Sequence, residues 1–163
     1  MMKRTTATLT LLISIFLVSC GGSGDSDSDA SGETSNAPAQ EESSGELSAF
    51  EQEHGIGPVT EPLNIGDGVD SALAEQGQSI FEMKCTACHE MENRLVGPPL
   101  GDVTERRSNE FIMNFILNPA GMTQDHPVGK ELLAEYMTPM PFQNVSEEEA
   151  RAILEYFRLV ASN

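Results

Sequence analysis

The stretch that most constrains this chain is Cys85-Thr86-Ala87-Cys88-His89, two thiols separated by two residues and followed at once by an imidazole. This spacing is the pattern for covalent attachment of a c-type haem. Each cysteine forms a thioether to one haem vinyl group, and the adjacent histidine is then held beneath the iron as its proximal ligand. Two other readings compete. A C-x-x-C pair of the thioredoxin kind sits near alternating strand and helix patterns, and no segment here alternates convincingly. A zinc site needs four ligands, and the remaining histidines, His54 and His126, stand singly.

At 163 residues the chain has room for one domain with appendages. Residues 1–19 read as a secretory signal, because Lys3 and Arg4 give a positive start and Leu9 to Val18 an apolar run too short to span a bilayer. Its end, Leu17-Val18-Ser19-Cys20, resembles the lipobox of bacterial lipoproteins, in which the signal is cut before the cysteine and that cysteine takes the lipid. With Cys85 and Cys88 assigned to haem, Cys20 is the odd thiol, which an acylated N-terminus explains. Gly21 stands where an aspartate signals inner-membrane retention in such proteins, a resemblance that favours the outer membrane. The competing reading is a soluble exported chain whose signal happens to end near a cysteine.

The net charge of -17 is unevenly placed: no Lys or Arg occurs between Arg4 and Lys84, while carboxylates accumulate from Asp25 to Glu53. Nucleic acid is thereby excluded as a partner. Residues 20–54 are rich in Gly, Ser, Asp and Glu with little to bury, so they are expected to be a flexible acidic linker after the lipidated cysteine. A coil of about 33 residues reaches on the order of 30 Å. Residues 55–69 carry Ile56, Val59, Leu63 and Ile65 among turn formers, which predicts an irregular arm packed on the domain that follows.

The domain proper is expected over residues 70–163. Asp70 is an N-cap candidate for a helix to Lys84 with Leu73, Gly77, Ile80 and Phe81 on one face. A glycine inside a helix costs roughly 1 kcal/mol against alanine, so Gly77 implies close approach of a second helix. Ser146 and Glu149 form a capping box opening that partner, whose stripe is Ala150, Ile153, Leu154 and Phe157. Tyr156 and Phe157 are expected against Gly77 and Phe81, lining the cofactor's edge. Between them, residues 108–117 and 130–136 predict two short helices, so the class is all-α.

Taken together, the Gly77 and Phe81 helix, the C-x-x-C-H motif, Gly97-Pro98-Pro99-Leu100, Met140-Pro141 and the terminal helix with Tyr156-Phe157 resemble the class I c-type cytochromes in their order. The resemblance implies a small all-α fold wrapped around one covalent haem, carrying single electrons between redox proteins. It implies that the Pro98 carbonyl fixes the His89 Nδ1 proton. It also implies that a methionine followed by proline, here Met140, is the sixth ligand. A soft thioether opposite histidine suits that role chemically. Met137 is the runner-up, followed by Met122, and His126 remains open as a replacement. Arg106 and Arg107 are read either as partners of the haem propionates or as solvated charge, and Asn114 and Gln143 as weaker donors near the haem.

No acid-base or nucleophilic constellation is present, so no small-molecule substrate and no enzymatic turnover are expected. The expected partners are a respiratory complex, an oxidase or a periplasmic reductase, with the haem domain facing the periplasm or cell exterior. Two rival readings stand beside this one: a haem catalyst or gas sensor with an open sixth site, and a relay subunit of a larger complex.

Overall fold

The structure, a computed structural model, describes residues 46–163. The expected signal, Cys20 and most of the expected linker lie outside the described residues. Among the described residues seven helices follow one another: α1 (Ala49–His54), α2 (Ser71–Lys84), α3 (Val103–Arg106), α4 (Asn109–Leu117), α5 (Pro119–Asp125), α6 (Pro127–Tyr136) and α7 (Glu147–Ala161). No strand occurs among the described residues, as the sequence predicts.

The crossing of α2 and α7 is the frame. Asp70 caps α2 by accepting the Leu73 amide at 3.0 Å, and the Ser146–Glu149 capping box opens α7. Gly77 is buried at the crossing, where an added Cβ would run into the carbonyl of Ala152. The close approach inferred from the glycine is therefore real. Beside it Phe81 packs edge-on to Phe157 with centroids 5.7 Å apart, and tilted to Tyr156 at 5.6 Å. Phe81 and Phe157, with Ile153, Leu154 and Ile112, belong to the buried core, and Tyr156 packs against it partly buried. Glu155 is buried too and is neutralised by Arg151 at 2.6 Å and Arg158 at 2.5 Å, while its other oxygen accepts the Asp70 amide at 3.2 Å.

Two elements differ from expectation. Residues 20–54 were expected to be linker throughout, yet Ala49–His54 forms α1, started by a capping box between Ser48 and Glu51. Its physical reason is anchoring: His54 Nδ1 bonds Ser108 Oγ at 2.8 Å, and the Gln52 carbonyl meets His126 Nε2 at 3.3 Å. The expected arm then continues as an irregular strap, with Val59 buried in the core and Leu63 and Ile65 packed against it. Secondly, α6 begins at Pro127 rather than near Lys130. His126 caps it by accepting the Val128 amide at 3.2 Å, and Pro127 occupies a first-turn position where a missing amide hydrogen costs nothing.

Candidate haem site

The C-x-x-C-H motif begins where α2 ends. Cys85 closes the helix through its amide to the Phe81 carbonyl at 2.8 Å, and its own carbonyl then accepts the amides of both Cys88 and His89 at 3.0 Å. This tight turn brings both sulfurs and the imidazole to one side. The next loop is fastened back onto the motif: Gly97 donates to Cys88 O at 2.8 Å and Leu100 to Glu90 O at 3.0 Å. That fastening puts the Pro98 carbonyl 3.0 Å from His89 Nδ1. With Nδ1 donating there, Nε2 is the nitrogen left to bind a metal.

Cys85, Cys88, His89 and Pro98 all line one cavity of about 240 Å³. Its walls are apolar: Phe81 and Phe157 from the helix crossing, Phe111, Ile112, Phe115 and Ile116 from α4, and Leu132, Leu133 and Tyr136 from α6. Among the described residues no Asp or Glu lines it. Burial pushes the Cys85 thiol up, partly offset by the neighbouring Lys84 ammonium. A reactive redox thiol has the opposite tendency, so the thioredoxin reading loses support. The zinc reading loses support as well, since no group of three or more His, Cys, Asp or Glu gathers among the described residues. A flat apolar macrocycle bearing two reactive vinyl groups and a metal fits this donor set: two free thiols, an oriented imidazole and a thioether on the cavity wall.

Of the sixth-ligand candidates, Met140 alone lines the cavity. Met137 is 81% exposed, with φ of 54° at the end of α6. Met122 is fully buried beneath the arm, and its sulfur accepts the Ile56 amide at 3.1 Å. Both ring nitrogens of His126 are engaged, with Gln52 and Val128.

Both arginines line the cavity, but they differ. Arg106 Nη2 is held by Asp102 at 2.8 Å and by the Pro99 carbonyl at 2.9 Å. Arg107 stacks over Phe111 at 5.2 Å and has no carboxylate partner among the described residues. Gln143 lines the cavity with its amide turned to Pro141 O at 3.2 Å. Asn114 lies elsewhere: it is fully buried and holds the arm, accepting the Val59 amide at 2.9 Å and donating to carbonyls of His54, Gly55 and Val59. Its expected place beside the haem is thus corrected, because the strap over α4 satisfies its whole amide. Tyr156 packs on Phe81 without lining the cavity, whereas Phe157 lines it. Lys84, which sequence reading left without a role, also lines the cavity. The start of α1, though not its docking, was signalled by the S-x-x-E box at Ser48 to Glu51, a pattern hidden inside an otherwise linker-like composition.

The comparisons agree with this geometry. Residues 74–160 match the cytochrome c family, and the chain belongs to that family. Cytochrome c from Rhodothermus marinus has a similar structure, with a TM-score of 0.66 and 51% identity, covering 69% of this chain and 97% of that one. An engineered form of it bound to a carbene intermediate aligns with a TM-score of 0.63 at 50% identity over the same shares, 69% and 97%. Cytochrome c-551 of Stutzerimonas stutzeri is 30% identical over 86 residues, 52% of this chain and 77% of that protein. The protein is a monohaem c-type electron carrier, and its cofactor is one covalently bound haem c.

Proposed function

We propose that the chain is an exported, lipid-anchored carrier that passes single electrons between respiratory redox partners and transforms no substrate. The observation that carries the reading is the 3.0 Å bond from His89 Nδ1 to Pro98 O, made in the cavity that both thiols and Met140 also line. When bound, haem supplies a one-electron couple between ferrous and ferric iron. Everything else is done by the chain. Cys85 and Cys88 would hold the macrocycle covalently, and His89, its ring oriented by the Pro98 carbonyl, would present Nε2 to the metal. Met140, on the wall of the same cavity, would supply a sulfur donor, which would raise the potential relative to a second imidazole. The apolar walls keep water from the buried edge. Arg107 is the cation left for a haem carboxylate, Arg106 being committed to Asp102 and Pro99.

Cys20 carries the anchor, and an acidic linker lets the haem domain range outside the membrane to meet a respiratory complex, an oxidase or a periplasmic reductase. No helix among the described residues is long and apolar enough to cross a membrane.

Redox titration of the purified holoprotein, with spectra in both states, tests the ligand set. A low-spin ferric spectrum with a near-infrared sulfur-to-iron band that vanishes in Met140→Ala and Met140→His is expected. A high-spin ferric spectrum in the unmodified protein overturns the reading. Mass spectrometry of the mature N-terminus tests the anchor separately, an unmodified start at any residue other than Cys20 being the contrary result.

A further inference from the structure

Residues 138–145, which carry Met140, run from α6 to α7 without regular structure. Their own hydrogen bonding is sparse. Gln143 returns to Pro141, and Pro139 and Pro141 have no amide hydrogen to give. Among the described residues one hydrogen bond ties this segment to another helix, and it comes from Lys84 at the end of α2. The Lys84 ammonium donates to the Asn144 carbonyl at 3.1 Å and to both Glu149 oxygens at 3.1 and 2.9 Å. Glu149 Oε2 also accepts the Ser146 amide at 2.9 Å, which closes the first turn of α7. One ammonium, with all three donors engaged, thus joins the end of α2, the exit of the Met140 loop and the start of α7.

The position of this junction matters. Lys84 immediately precedes Cys85 in sequence and lines the same cavity as Met140. Asn144 sits at φ 51°, the left-handed region, where the chain turns back toward the core to bury Val145. A non-glycine residue there has to be held by its surroundings. An exposed ion pair would be worth little. This one is half-buried, bidentate on the carboxylate and joined to a backbone carbonyl, so it directs the loop rather than decorating it.

We propose that Lys84 is a positioning residue for Met140: through Asn144 and Glu149 it fixes the height of the ligand loop over the cavity, and so how often the thioether leaves the iron. The Lys84 ammonium acts through Asn144 and Glu149, the groups it hydrogen-bonds. The proposal rests on the reading of Met140 as the sixth ligand.

Imidazole binding to the ferric holoprotein measures this directly, because an added ligand must first find the Met140 site open, and its apparent affinity scales with the open fraction. Lys84→Met is expected to tighten imidazole binding about tenfold while the sulfur-to-iron band persists in the absence of imidazole. Glu149→Gln, which keeps an oxygen for the Ser146 amide, is expected to give a smaller tightening than Lys84→Met. A general loss of stability does not predict this order, so denaturation of each variant is measured alongside. Unchanged imidazole affinity in both Lys84→Met and Glu149→Gln, with the band present in the parent and lost in Met140→Ala, overturns the role of Lys84 alone. A band that survives in Met140→Ala overturns the ligand reading and the proposal with it.

Discussion

His89 Nδ1 and the carbonyl oxygen of Pro98 are 3.0 Å apart, and the residue immediately before that proline, Gly97, lies against the same ring. A Cβ at Gly97 would come within 2.9 Å of Nδ1 and 3.0 Å of Nε2. The ring cannot retreat without giving up its bond to the Pro98 carbonyl. Gly97→Ala is expected to lower the yield of holoprotein and to shift the midpoint potential of what forms, with a stability loss of about 1–3 kcal/mol from overpacking. Haem content per chain and redox titration check it.

Gly77→Ala sets two effects against each other. Alanine gains roughly 1 kcal/mol of intrinsic helix preference. Against that, the new methyl meets the backbone of Ala152 and Ile153, which cannot rotate away as a side chain could. The clash wins, and a net loss of about 2 kcal/mol or more is expected. Guanidinium denaturation of the holoprotein reads it, and equal or greater stability in the variant would contradict the tight crossing of α2 and α7.

Asn114 carries the arm, so Asn114→Ala should free it. The substitution leaves the amide and carbonyl of Val59 and the carbonyls of His54 and Gly55 without their partner. Each buried unpaired group costs about 1–3 kcal/mol, but an arm that lifts off into water recovers part of that. A stability loss of about 2–4 kcal/mol is expected, together with rapid protease cleavage between residues 46 and 65. Limited proteolysis with mass spectrometry distinguishes release of the arm from global unfolding.

Acid should weaken the start of α7. The Ser146 amide, and next the Lys84 ammonium, hold Glu149 below its ordinary value. A carboxylate lowered in the folded state contributes stability that is full above its unfolded pKa and is lost as pH falls through the folded one. The loss therefore falls on the acid side of the ordinary carboxylate range, with neutral pH unaffected. Asp102, lowered chiefly by its hydrogen bond with Arg106, acts in the same window. Glu149→Gln is expected to flatten the acid limb of a stability-versus-pH curve, and an unaltered limb would remove Glu149 as its source.

The contrast between α2 and α1 shows what made parts of this fold legible. α2 and α7 are long enough for their caps, their apolar stripes and the odd glycine to agree with one another. α1 is six residues long and buries none of them, so only its capping box marked it against a linker-like background. It exists because Asn114, Ser108 and His126, far along the chain, fasten its end, and sequence spacing does not encode such contacts.

By itself the sequence determined the covalent side of the site. Cys85, Cys88 and His89 are brought together by hydrogen bonds within five residues, so their geometry follows from their spacing. Pro98 followed from the same neighbourhood through the family resemblance. The sequence preferred Met140 to Met137 only through the proline that follows it, and the tertiary structure adds a physical difference between the two. The two thioethers are three positions apart and chemically equal, but a left-handed turn at Met137 leaves one in solvent, while Lys84, from a helix more than fifty residues earlier, holds the exit of the loop that brings the other to the cavity. It likewise divided the arginines, since Asp102 and Pro99 claim Arg106 and leave Arg107 free of any carboxylate partner among the described residues. In each case the deciding partner is distant in sequence, and packing rather than local pattern makes the choice.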